Sequence, residues 1–267
     1  MGSVTMSETV TYERRGEVAV ITLDRYKRRN AIDHDTGDQL YDALMRLNDD
    51  DEAAVGVLTG ANGVFCAGAD LKEISEGGSL EGRETGYMGY SHAELEKPLI
   101  AAIEGFALAG GLELAAFCDI RIAAEDAFFG CYERRWGIPL LDGGTQRLPH
   151  IVGLGRALEM IYTGRRVDAD EAFDWGLLNR LVPPGEALDA AVEMASGIAQ
   201  FPQKTVRTDR KAVFEGLGES IDKGLAIESW HGTHAMETAR EGATRFAEGE
   251  GRGGAGTYEE YVDRDDV

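Results

Sequence analysis

The chain has 267 residues, 43% of them apolar and 8% aromatic, which is a globular composition and not a disordered one. That length suits one large domain, or one domain with an appendage, and needs no disulfide or metal to bury a core. Forty-eight acids against 27 bases give a net charge of −21, which repels phosphate backbones and argues against a nucleic-acid partner.

Residues 10–14 and 18–23 read as two short strands around a turn. A basic loop, 25–29, leads to Asn30-Ala31. Leu40, Ala43, Leu44 and Leu47 recur near helical spacing, so 36–47 is expected to be a helix. Residues 55–59 form a buried strand by their β-branched content. A glycine-containing segment, 64–70, turns helical at 71–74. The polar, glycine-rich stretch 75–89 reads as a flexible loop. A strand at 99–103 runs into a glycine-rich turn at 105–111 and a short apolar helix at 112–117. A strand at 120–123, helices at 143–152 and 157–162, a strand at 178–182 and a helix at 187–200 follow. From Pro202 onward only helices are expected, at 204–214, 220–236 and 237–248, before a glycine-rich breaker at 249–256 and an acidic tail. Strands alternating with helices give an α/β class. The expected division is a core domain over 1–201 and a helical region over 202–267.

The three cysteines, Cys66, Cys118 and Cys131, have no Cys-x-x-Cys spacing, so a zinc ribbon or disulfide framework is not expected and a reducing cytoplasm fits. No apolar run approaches the ~18 residues of a membrane span. The first eleven residues lack the basic region and apolar core of a secretory signal. Only six of the 27 bases are lysines. That skew resembles salt-adapted, halophilic proteins; the plainer reading is ordinary acidity.

Several stretches can carry chemistry. Gly105-Phe-Ala-Leu-Ala-Gly110 has phosphate-loop spacing, but Gly111-Leu112 stand where Lys and Ser/Thr are required, so that reading fails. Glycines still let a backbone N–H approach a ligand closely, and a helix starting there aims its unpaired N–H groups at a developing oxyanion. A tight turn with no ligand is the alternative. Phe65-Cys-Ala-Gly-Ala-Asp70 is a second small-residue turn able to supply another donor. Glu113, Glu133 and Asp142 lie near these glycine turns and suggest acid/base work. Their plainer roles are a first-turn acid, a surface acid and a cap for the helix near Gly143. Glu228-x-x-His231-x-x-His234-x-x-Glu237 looks like a metal stripe, yet Glu228 and Glu237 fall on opposite helix faces, so no metal is expected. Gly89-Tyr-Ser91-His-Ala93 lacks the last glycine of a nucleophile elbow. Gly249-x-Gly251-x-Gly253 follows a helix and is no dinucleotide fingerprint.

Taken in order, Ile21-Thr-Leu-Asp24, Asn30-Ala31, Val55-Gly-Val-Leu-Thr-Gly60, Phe65-Cys-Ala-Gly-Ala-Asp-Leu-Lys72, Lys97-Pro-Leu-Ile-Ala-Ala-Ile-Glu-Gly105, Gly110-Gly-Leu-Glu-Leu-Ala115 and Gly143-Gly-Thr-Gln-Arg-Leu148 form a pattern. It resembles the crotonase (enoyl-CoA hydratase/isomerase) superfamily over nearly the whole chain. The resemblance implies a spiral of ββα units ending in a helical segment used for trimerisation, with trimers pairing into hexamers. It implies an acyl-CoA substrate whose thioester carbonyl sits between the N–H groups of Ala69 and Gly110. It implies a pocket around Ala67, Asp70 and Leu71, with Lys27, Arg28, Arg29 and Lys72 facing the CoA phosphates. No cofactor is expected, because coenzyme A is part of the substrate, and no membrane partner.

Carrying both Glu113 and Glu133 matches the hydratase branch, which adds water across trans-2-enoyl-CoA to give 3-hydroxyacyl-CoA. Double-bond isomerisation, or another acyl-CoA thioester reaction, is the alternative. Four departures from the pattern stand out. Tyr26 and Tyr132 replace usual prolines. Arg134-Arg135-Trp136 is bulky and basic for a pocket wall. Asp142 stands directly before Gly143-Gly144, where some isomerases carry their acid.

Overall fold

A computed structural model describes residues 8–77 and 84–249. Strands β1 (Val10–Arg15) and β2 (Val18–Leu23) form an antiparallel hairpin. Helix α1 (His34–Asp49) follows, then β3 (Val55–Gly60), α2 (Leu71–Ser75), β4 (Leu99–Ile103), β5 (Phe106–Leu108) and α3 (Gly110–Phe117). Next come β6 (Ile120–Ala124), β7 (Phe128–Gly130), α4 (Gly144–Val152), α5 (Leu154–Thr163), β8 (Val167–Asp168), α6 (Ala169–Asp174) and β9 (Arg180–Val182). Helices α7 (Ala187–Ala199), α8 (Gln203–Gly216), α9 (Ile221–Thr233) and α10 (Met236–Ala247) complete the described chain. Of the expected loop at 75–89, residues 78–83 lie outside the described residues, as do residues 250–256 of the expected breaker and the acidic tail.

One sheet has the order β1-β2-β3-β4-β6-β9 and is parallel from β2 onward. A second has the order β5-β7-β8 and is extended by parallel bridges, Ile32 to Ala69 and Cys66 to Ala107. The chain therefore alternates between two rows. It goes from β2 to Ile32, from β3 to 66–69, from β4 to β5 and from β6 to β7, with a helix after each pair. This is the expected spiral of ββα turns. Parallel neighbours need such crossovers, since a tight hairpin cannot join them.

Strands β2, β3, β4 and β6 of the first sheet are buried on both faces, and the period of two sorts their side chains. Val18, Val20, Val55, Val57 and Ile100 pack against Ala187, Ala191, Ala195 and Ala199 of α7. Those alanines recur every fourth residue, which lets α7 lie close to the sheet. Ala19, Ile21, Leu58, Ala101 and Ile103 face the larger core with α1 and α3. Helix α1 presents Leu40, Ala43, Leu44 and Leu47 to it, and the Asp33 carboxylate caps its start by accepting the Thr36 N–H.

Helix α8 packs on α9 and, less, on α10. The Arg210 guanidinium joins this arm to the core through two bonds to the Asp119 carboxylate, at 2.9 and 3.0 Å. Neither α8 nor α10 has a buried residue.

Candidate active site

The two glycine turns meet. Gly68 has φ +94, and a Cβ there would lie 2.8 Å from the Gly110 nitrogen, so only glycine brings the two backbones this close. Ile32 donates to the Gly68 carbonyl at 2.8 Å and accepts the Asp70 N–H at 2.9 Å. The intervening Ala69 is the bridge partner of Ile32 and lines the same pocket as Gly110. Ala109 caps α3 at φ 53, ψ −126, a strained conformation for a residue with a side chain. That turn makes Gly110 the first residue of α3, with its N–H in the helix's unpaired first turn at the positive end of the dipole. The expected start at Leu112 is corrected to Gly110.

Glu113 follows Gly110 by one helical step and is buried. Its Oε1 accepts the N–H of Asp142 at 3.0 Å and of Gly144 at 2.8 Å. Burial pushes its carboxyl up to about 7; the Gly144 N–H opposes this, and the Asp142 charge adds to it. Glu133 sits in a 3-10 turn, Tyr132–Trp136, and is 6% exposed, not a surface acid. Neither of its carboxylate oxygens has a hydrogen-bond partner on any other described residue. Burial raises its carboxyl too.

Asp142 is 1% exposed, and its carboxylate accepts the Met88 N–H at 3.1 Å and the Ser91 O–H at 3.0 Å. The residue capping α4 is Gly143, with no side-chain bond, so Asp142 is not the helix cap that its position suggested. Instead Glu113, from another helix, holds the N–H groups at the start of α4.

Ala67, Ala69, Gly110, Glu113, Glu133 and Asp142 all line one pocket of about 560 Å³, its open mouth included. Leu71 lines it as expected. Asp70 lines a smaller adjoining pocket, with its carboxylate held by Arg25 at 2.6 Å and by the Lys72 N–H at 3.0 Å. Lys27, Arg28, Arg29 and Lys72 are exposed and lie outside the pocket wall. The buried Asn30 side chain holds the basic loop in place, accepting the Arg25 N–H and donating to the carbonyls of Ala61 and Val64.

The enoyl-CoA hydratase/isomerase family model matches residues 13–251. The chain belongs to this family. A short-chain-enoyl-CoA hydratase of Clostridium acetobutylicum is 40% identical over 246 residues, covering 90% of this chain and 94% of that protein. A crotonyl-CoA hydratase of Syntrophomonas wolfei is 40% identical over 248 residues, covering 90% and 95%. The crystal structure of an enoyl-CoA hydratase from Mycobacterium tuberculosis H37Rv superimposes with a TM-score of 0.85 at 37% identity, covering 91% of this chain and 96% of that one.

Within this family frame the unusual 132–136 segment has a simple explanation. Arg134 donates to the Ile161 carbonyl and Arg135 to the Gly164 carbonyl, so both are directed at the C-terminal end of α5. The Arg135 guanidinium also lies 3.5 Å from the centre of the Tyr132 ring. Only Tyr132, Glu133 and Trp136 of the segment line the pocket.

Tyr87, Met88 and Tyr90 were missed by the sequence reading. Tyr87 and Met88 line the pocket, and the Tyr90 hydroxyl donates to the Gly110 carbonyl at 3.1 Å. The available signal was the apolar run Tyr87-Met88-Gly89-Tyr90 inside a stretch read as loop. Ser91 is no nucleophile of a triad, since its hydroxyl is given to Asp142 and the His92 ring pairs with the Glu84 carbonyl. His231 pairs with Glu215 at 2.8 Å, and no three candidate metal ligands cluster among the described residues.

Proposed function

We propose that this protein hydrates trans-2-enoyl-CoA to 3-hydroxyacyl-CoA, with Ala69 and Gly110 as oxyanion donors and Glu113 and Glu133 as the proton-handling pair. The observation that carries the reading is the common pocket itself. It brings the buried carboxyl groups of Glu113 and Glu133, with Asp142 behind them, beside Ala69 and Gly110. Backbone N–H donors stabilise the enolate oxygen that develops when water adds to a conjugated thioester. Relatives named short-chain-enoyl-CoA and crotonyl-CoA hydratases support a short acyl group.

The two glutamates differ in a way that divides the work. Two N–H donors hold Glu113 Oε1 and oppose the upward push of burial, whereas neither Glu133 oxygen is bonded to another described residue; burial raises both carboxyls. Glu113 accordingly takes the proton of the attacking water as its oxygen bonds to C3. Glu133 delivers a proton to C2, and exchange with solvent restores both. Neither step requires a metal or a redox group.

The exposed Lys27, Arg28, Arg29 and Lys72 supply the local positive potential that the CoA phosphates need on a protein of charge −21. The reading includes a core domain over 1–201, a helical region over 202–267 that assembles a homotrimer or hexamer, and a cytoplasmic location. No helix among the described residues is long and apolar enough to cross a membrane. The test is to mix the pure protein with crotonyl-CoA and follow loss of the conjugated enoyl-thioester absorbance. No loss of absorbance at any enzyme concentration would defeat the reading.

A further inference from the structure

Asp142 uses three of its polar groups at once. Its N–H donates to Glu113 Oε1 at 3.0 Å, its carboxylate accepts from Met88 and Ser91, and its carbonyl accepts from Arg147 at 2.9 Å. Arg147 reaches back with its other nitrogen to the Ser91 carbonyl at 3.1 Å. The bonds therefore close a ring between the start of α4 and the segment 86–91. There is no slack in it: a Cβ on Gly86 would overlap Ser91 Oγ and lie 3.1 Å from Asp142 Oδ1.

The 86–91 segment touches the oxyanion donor. A Cβ on Gly110 would overlap Met88 Cε, and the Tyr90 hydroxyl holds the Gly110 carbonyl. The acid Glu113 and the donor Gly110 are thus both fixed with reference to one residue. We infer that Asp142 is a positioning residue, whose carboxylate fastens the 86–91 segment, through Met88 N–H and Ser91 Oγ–H, to the turn that holds Glu113. This rests on the hydratase reading for its consequence in catalysis, but not for the anchor itself. A residue that carries protons would instead depend on its ionisable group, and its partner Ser91 would be dispensable.

The test compares Ser91→Ala, Asp142→Asn, Asp142→Ala and the double alanine variant in crotonyl-CoA hydration. Asparagine keeps the accepting Oδ1, so Asp142→Asn should stay within about threefold of the wild-type kcat. Loss of the anchor should lower kcat about 3–10-fold in Ser91→Ala and about 100-fold in Asp142→Ala, with KM nearly unchanged. Ser91→Ala should cost nothing further in the Asp142→Ala background, because the two act through one bond. Wild-type turnover by Ser91→Ala overturns the proposal, as does an Asp142→Asn variant whose kcat falls about 100-fold. Those two variants decide the matter even where Asp142→Ala does not fold. Amide hydrogen exchange over 86–91 reads the anchor without turnover. It should quicken in Ser91→Ala and not in Asp142→Asn, and unchanged exchange in Ser91→Ala overturns the proposal. A wild type inactive on crotonyl-CoA would defeat the hydratase reading alone, leaving the exchange result to judge the anchor.

Discussion

The Gly144 N–H donates to Glu113 Oε1 over 2.8 Å, so the acid on α3 is held by the first residue of α4. A Cβ on Gly144 would lie 2.9 Å from Glu113 Cγ and 3.0 Å from Oε1, closer than side chains normally approach. Gly144→Ala should therefore displace the carboxyl group while leaving the helix intact. Small misplacements of a reacting group are costly, so kcat should fall about 10–100-fold with KM for crotonyl-CoA changing less. Wild-type turnover by a folded Gly144→Ala would show that the position of this carboxyl is not critical.

Replacing either glutamate by glutamine keeps the size of the side chain and removes its proton chemistry. Glu113→Gln and Glu133→Gln should each lower kcat by about 10²–10⁴, the usual range for a positioned acid or base. Binding of the thioester should change little, because the proposed oxyanion donors are backbone groups. Steady-state hydration rates check this, and near-normal turnover by either variant would remove that residue from the proton path.

Glu113 also links stability to pH. Burial lifts its carboxyl from the ordinary 4.5 to about 7 in the folded state. Between those values the folded protein binds more protons than the unfolded chain. Its contribution to stability is present in full below pH 4.5 and is lost as pH rises through 7. Glu113→Gln cannot ionise, so it should melt above wild type at pH 8, by at most roughly 3 kcal/mol. The difference should close near pH 4. Melting curves of the two proteins that run parallel at every pH would contradict the raised carboxyl.

Strands β2 and β4 were legible in the sequence because Val18-Ala-Val-Ile-Thr-Leu23 and Leu99-Ile-Ala-Ala-Ile103 are apolar runs of strand length. Strands β5, β7 and β8 were not, because two or three residues have no period to read; their neighbours in the spiral define them. Helix α3 starts two residues early because Gly110 and Gly111, poor helix formers, are set by their close approach to Gly68 and Cys66 and not by propensity. The three acids and two turns of the site were legible as motifs. The partners that define them were not. Asp142 meets Ser91 and Met88 across more than fifty residues, so the glycines of 84–91 signalled a loop while long-range bonds buried Met88 and Tyr90.

Twenty-one net negative charges repel one another, and about 0.1 M salt screens only beyond roughly 10 Å. Self-repulsion should weaken the folded state in dilute buffer. The thermal midpoint should rise from dilute buffer to molar KCl. A flat or falling midpoint would leave mere acidity and remove the halophilic reading.

The C-terminal arm makes the last prediction. Val213, Phe214, Leu217, Ile221, Leu225 and Trp230 are all exposed on α8, α9 and the turn between them. A large apolar side chain gains about 1.5–3 kcal/mol on full burial, so a cluster of this size is a strong drive to association. The Arg210–Asp119 pair holds the arm to its own core, and the apolar side chains face away from it. Light scattering of the whole chain should give a trimer or hexamer mass. Ile221→Asp places a charge on that surface without touching Arg210 or Asp119, and burying it unpaired in an interface is costly. The variant should release monomer at concentrations where the wild type stays assembled, with its core still folded. Removing the chain from Pro202 onward should yield monomeric or unstable protein. A wild type that is a stable, active monomer would show that the arm is covered by something other than a second copy.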